Sequence, residues 1–267
     1  MHRVLITCLL IAGAVPAFAQ SDSIREAFER GLDRVDLEEA ARKSGMPEQF
    51  QPVILEHMQR VMRDPEVRNF IIDEFTSILP MLERQGNTPN EAEMLTFVRD
   101  YGAALVQDKT AQGIKRLPVS DQRQFYIMLS DLMAVMPPAV CSSFLNGEMA
   151  AQDGQSAELA AVGKMSEAFV RTWLRISGDA TLAEIRDRPL HIPLSVTERV
   201  VAEALFQDSL AQNLAAHPQR AGIEAAFADM RSASHEDVCA MGIMTFEAVT
   251  TAKGTAGDWA VRMMSEM

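Results

Sequence analysis

LPVSDQRQFYIMLSDLMAVMPPAVC, residues 117–141, decides the fold class. Between the breaks at Leu117-Pro118 and Pro137-Pro138, the residues Phe125, Met128, Leu129, Leu132, Met133 and Met136 recur three and four apart. That spacing lays one apolar face along a helix. Proline is accepted in a first helical turn and disrupts a helix interior, so the two proline sites read as the bounds of one element.

Outward from this stretch the pattern repeats. Upstream lie Ile54, Met58, Val61 and Met62; then Val67, Phe70, Ile71, Phe75, Ile78, Leu79 and Leu82; then Met94, Phe97, Val98, Tyr101 and Leu105. Downstream follow Leu159, Val162, Phe169, Trp173 and Ile176; Val196, Val200, Leu205, Leu210 and Leu214; Ile223, Ala226, Phe227 and Met230; and Val238, Met241, Thr245 and Val249. Each stripe is read as a face turned to a common core. No run alternates apolar and polar residues in the manner of a half-buried strand.

Start and stop signals agree with this reading. Asp64-Pro65 and Thr88-Pro89 place a capping side chain before proline, and Asp36 with Glu39 and Ser195 with Glu198 fit a capping box. Ser234 with Asp237 is a looser version. Breaks are expected at Gly45-Met46-Pro47, at 85–89, at Ser177-Gly178-Asp179, from Arg188-Pro189 to Pro193, and at His217-Pro218. Pro80 is expected to kink or end its helix. The basic run Lys109 to Arg116, interrupted by Gly113, reads as a helix C-terminus complementing the dipole. The chain is therefore an all-α, irregular multi-helix bundle of about ten helices.

The N-terminus supplies an address. MHRVLITCLLIAGAVPAFA, residues 1–19, has a basic start at Arg3, an apolar stretch from Val4 to Val15, and small residues Ala17 and Ala19 at the −3 and −1 positions. This is the pattern of a cleaved signal peptide, with the mature chain starting at Gln20 in the periplasm or outside the cell. Of the three cysteines, Cys8 leaves with the leader. Cys141 and Cys239 remain, and an oxidising compartment favours their pairing. Closing a loop of that length stabilises by about 4.7 kcal/mol at most in the chain-entropy treatment. After the leader, residues 20–45 read as a charged helical arm and 46–267 as an all-helical domain, with a further division into layers 46–138 and 139–267 as one arrangement of it.

Charge and composition exclude several classes. With 48% hydrophobic residues the chain can build a core, so it is not a disordered tail. A net charge of −12 repels nucleic-acid phosphate and anionic lipid. Loss of the leader removes one basic residue and no acid, leaving 24 against 37 and a charge of −13. No stretch of the mature chain is long and apolar enough for an integral membrane segment.

No active-site grammar is present: there is no G-x-S-x-G, S-x-x-K, H-E-x-x-H, Walker loop or G-x-G-x-x-G. His2, His57, His191, His217 and His235 are scattered. His235 and Cys239 share a helix face near Met241 and Met244, a soft-metal arrangement in principle, but helix capping and a cross-link account for them more simply. Most of the 17 methionines lie on the same stripes as Leu, Ile and Phe and read as core filling; the exception is the tail with Trp259, Val261, Met263, Met264 and Met267. The adjacent acids Glu38/Glu39, Asp73/Glu74 and Glu236/Asp237 point to different faces and read as solvated.

The longest irregular stretch is RDRPLHIPL, residues 186–194. It mixes Arg186, Arg188 and His191 with apolar residues between prolines, and such loops carry function more often than core helices do. These three residues are the candidate binding set. The expected function is non-enzymatic binding of another cell-envelope protein, of the inhibitor, immunity or assembly-factor type, with no metal or cofactor. The alternatives are a helical envelope hydrolase using Glu or His as acid and base, and a Met/His carrier of a soft metal.

Overall fold

The computed structural model describes residues 25, 26, 29, 32, 33, 36–84, 91–146, 157 and 159–267, with backbone alone at 79–100 and 103. The expected leader with its expected cleavage point, the Thr88-Pro89 start signal, and the side chains of Leu79, Leu82, Met94, Phe97 and Val98 lie outside that description.

Among the described residues all regular structure is helical. The order is α1 (Leu37–Lys43), a 3₁₀ turn (Glu48–Phe50), α2 (Gln51–Met62), α3 (Pro65–Arg84), α4 (Glu91–Gly113), a second 3₁₀ turn (Ile114–Arg116), α5 (Val119–Val135), α6 (Pro138–Asn146), α7 (Glu167–Ile185), α8 (Val196–Ala216), α9 (Arg220–Ala228), α10 (His235–Thr250) and α11 (Gly254–Ser265). None of these helices is long and apolar enough to cross a membrane.

The capping side chains act as their chemistry requires. Asp36 Oδ1 accepts from the Glu39 N–H, and Asp64 Oδ1 accepts from Glu66 and Val67 at the start of α3. Ser195 and Glu198 form a complete capping box on α8, and Ser234 caps α10. Ser166 caps α7, a start the sequence reading does not include.

Cys141 on α6 and Cys239 on α10 are joined, with Cα atoms 5.5 Å apart and 98 residues between them. The cross-link lies in the main apolar cluster, which draws residues from Ala40 on α1 to Val261 on α11. The α5 stripe is inside it: Met128, Leu132 and Met133 are almost fully buried. Methionines 46, 58, 128, 133, 136, 241 and 244 fill the same core. A second cluster ties Leu32 of the N-terminal arm to Val61, Met62, Val67, Ile71 and Phe75. The arm is also held by Arg25–Asp73 at 2.5 Å and Arg68–Asp33 at 2.6 Å. A third, small cluster joins Leu194, Ala202, Ala260 and Met263 beneath the loop that follows α7.

The structure corrects three local expectations and extends one. α3 does not end at Pro80 but runs to Arg84. α7 passes unbroken through Ser177-Gly178-Asp179. Gly178 is a notch, not a stop: a Cβ there would lie 2.1 Å from Arg60 Nη2 and 2.9 Å from His57 Cε1, both on α2. Lys115 and Arg116 do close the helical segment that follows α4, but Arg116 also pairs with Glu184 and Asp187, which the dipole reading does not include. The third correction concerns α8. Its stripe is not a single core face: Val196 and Val200 face outward, while Ala202 is fully buried and Phe206, Leu210 and Leu214 pack against the core.

Candidate functional site

The segment between α7 and α8 is a braced loop. At its start Arg116, on the second 3₁₀ turn, reaches across to α7. Its Nε lies 2.6 Å from Glu184, its Nη2 2.7 Å from Asp187, and its Nη1 donates to the Pro189 carbonyl at 3.3 Å. The Arg116 and Glu184 side chains are both largely shielded from water, so solvent screens this pair less than an exposed one. Hydrogen bonding to Glu184 pushes the Arg116 pKa further up. Asp187 adopts φ 51°, a left-handed conformation that Asp tolerates better than most residues. Arg186 forks onto Asp64 and Glu66 at the start of α3, and Arg188 reaches Glu66 at 3.3 Å.

The far end is fastened by the last turn of α11. Glu266 follows that helix, and its side chain is only 6% exposed. One carboxylate oxygen accepts from the Leu194 N–H at 3.1 Å and lies 3.2 Å from His191 Nε2; the other takes Arg199 of α8. Arg262, one turn earlier on α11, donates to the Ile192 carbonyl at 2.5 Å. Between these anchors Leu194 inserts under the loop against Ala202, Ala260 and Met263. The backbone of 186–195 is thereby fixed by polar contacts on one side and one apolar plug on the other.

Beside the exposed Asp187 and Arg188, this frame holds four aliphatic side chains toward solvent. Leu190 is 74% exposed, Ile192 70%, Val196 82% and Val200 61%. Val196 and Val200 are four apart and share a face of α8, next to the loop that carries Leu190 and Ile192. Met267, also 82% exposed, follows the Glu266 anchor. Aliphatic side chains presented together on an ordered backbone are a recognised mark of a contact surface, whereas single exposed ones are ordinary.

The three polar residues singled out from the sequence sit in this same place, and all three bond within the chain. Arg186, Arg188 and His191 hold the loop to α3 and to Glu266. Sequence reasoning missed the partners that fix them. Glu266, Arg262 and Arg116 lie some 70 residues from the groups they bind, and no local pattern marks them. Val196 and Val200 are visible in the sequence, but their helical spacing assigns them to a core, and Leu190 and Ile192 read only as apolar residues of the loop.

The other candidates are elsewhere. His57 on α2 is buried, and its Nδ1 has no hydrogen-bond partner among the described residues. Burial, and secondarily the nearby Arg60 charge, holds its pKa down at about 4, so it is a neutral ring at physiological pH. Ser177 Oγ and Trp173 Nε1 on α7 are likewise buried and unbonded, so no His–hydroxyl pair is formed. His235 is exposed in the first turn of α10, and Cys239 is in the disulfide. No group of three His, Cys, Asp or Glu with metal-holding geometry occurs among the described residues. Of the paired acids, Glu39 meets Lys43 at 2.6 Å and Asp73 meets Arg25. Glu74 accepts from the Tyr101 hydroxyl at 3.5 Å, and Glu236 is exposed.

No family model, curated protein or solved structure matches this chain.

Proposed function

We propose that this is an exported protein of the cell envelope that works by contact with another protein and not by turnover. The reading rests on one observation: Leu190, Ile192, Val196 and Val200 stand exposed within eleven consecutive residues, on a backbone tied down at both ends. Burying each such side chain against a partner is worth roughly 1.5–3 kcal/mol before the costs of association. A braced loop has little conformational entropy left to lose on docking, so more of that gain survives as affinity. The leader-like residues 1–19 and a cross-link of the kind that persists in oxidising compartments support the location.

The test is cross-linking in intact cells, followed by identification of the captured protein. It compares the natural chain with an Ile192→Asp/Val196→Asp variant. Both positions are exposed, so the variant folds; it is expected to lose the captured partner. Capture that is unchanged in the variant, or no specific capture by either form, overturns the proposal.

A further inference from the structure

Two residues of α5 reach the C-terminal helix from inside the core. Arg123 meets its start. The Arg123 Nη1 donates to the carbonyls of Thr250 at 2.8 Å and Ala252 at 2.7 Å, where α10 ends, and its Nη2 lies 2.9 Å from Asp258 of α11. Tyr126, on the next turn of α5, meets the other end. Its hydroxyl donates to Ser265 Oγ at 3.0 Å, and Ser265 donates in turn to the Val261 carbonyl at 3.1 Å. The Tyr126 ring is buried, stacked on Phe246 at 5.6 Å and edge-on to Phe125 at 5.5 Å, so core packing sets where its hydroxyl points. Burial pushes the Tyr126 pKa up, so the phenol keeps its proton and is the donor.

The turn that Tyr126 fixes is the turn that fastens the loop leading into the exposed strip at 190–200. Ser265 directly precedes Glu266, whose carboxylate takes the Leu194 N–H and Arg199. Arg262, three residues before Ser265, holds the Ile192 carbonyl. The Leu194–Glu266 bond is 3.1 Å long, near the upper end of the ordinary range. A shift of about 0.5 Å in the last turn of α11 therefore breaks it. The start of the loop is held differently, by Arg116 and by the Arg188 N–H, which donates to the Ala183 carbonyl at 3.0 Å.

We infer that Tyr126 is a positioning residue for the second half of this loop, His191 to Ser195: through Ser265 it holds the last turn of α11 where Glu266 fastens Leu194. Order in that half is governed from the aromatic core, and α11 is the clamp that carries it. The inference concerns the loop itself and holds whatever the loop contacts.

Amide exchange followed residue by residue on the disulfide-bonded protein tests this. Tyr126→Phe removes one oxygen and keeps the ring. An opening that breaks the Tyr126–Ser265 bond becomes easier when that bond is already gone, whereas an opening that leaves it intact does not feel the loss. The Leu194 N–H is expected to exchange about fivefold faster in Tyr126→Phe, the effect of one ordinary hydrogen bond. The Arg188 N–H, in the same loop, is expected to keep its rate. Ser265→Ala, at a half-buried position, is expected to give the same pattern, and the combined variant to go no further than the larger single effect, because either change removes the bond. An unchanged rate at Leu194 overturns the inference. So does equal acceleration at Leu194 and Arg188, which reports general loosening, and so do additive effects of the two substitutions.

Discussion

α5 and the first turns of α8 carry apolar residues at the same helical spacing, yet the two regions end in opposite environments. On α5, Leu132 and Met133 are 1% exposed. On α8, Val196 and Val200 stand in water. α5 lies between α7, α10 and α11, and its residues add to an aromatic chain that runs from Trp173 through Phe125 and Tyr126 to Phe246. α8 packs against α9, α10 and α11, and the face that carries Val196 and Val200 is left uncovered. Identical periodicity therefore means core where a neighbouring helix covers the stripe and exposed surface where none does. The difference teaches that a stripe reports only a shared direction, while the placement of the neighbouring helices decides what that direction meets.

The sharpest break of the comparison is truncation. Leu132→Ala should cost about 2–5 kcal/mol of unfolding free energy, read from denaturant midpoints, because it removes buried methyl groups and leaves a cavity. Reduction of Cys141–Cys239 acts on the same interior and should cost about 2–4 kcal/mol. Free-thiol titration under non-reducing conditions should find no reactive sulfhydryl from this pair; two reactive thiols would contradict the cross-link.

Acidification comes next. The unfolded His57 binds its proton near the ordinary value of 6.5, and the folded ring only near 4. Stability from this group is complete above pH 6.5, falls as pH drops from there toward 4, and falls no further below that. The loss approaches about 3 kcal/mol by linkage. His57→Leu should flatten that part of the pH–stability curve; an unchanged slope would refute the assignment.

The two smallest effects fall on the strip itself. Glu266→Ala leaves the Leu194 N–H and Arg199 without their acceptor and should cost about 1–3 kcal/mol. Amide exchange should accelerate over 191–199 and stay unchanged in α5, which separates bracing of the loop from general destabilisation. Val196→Ala should change stability by less than about 0.5 kcal/mol, as surface substitutions do. A larger loss would mean that Val196 packs into the fold.

Much of the fold was legible. The helical class follows from apolar spacing, the helix starts at Asp36, Asp64, Ser195 and Ser234 from capping chemistry, and the breaks at Pro118, Pro138 and Pro218 from the missing N–H and fixed φ of proline. Gly178 misled because glycine also marks a close approach between helices. Only the position of His57 and Arg60 shows which meaning applies. The candidate loop was found by its composition, but Arg186, Arg188 and His191 turn out to be its fastenings, and the exposed face belongs to Leu190 and Ile192.

Sequence alone determined the helices, because spacing, caps and prolines act within a few residues along the chain. It also picked out Cys141 and Cys239 as the pair to join, since Cys8 falls in the stretch read as a leader. Tertiary structure alone decided which stripe would be covered and which would face water, and it placed Glu266 under a loop some 70 residues away. Burial is a property of neighbours in space, and local spacing carries no record of them.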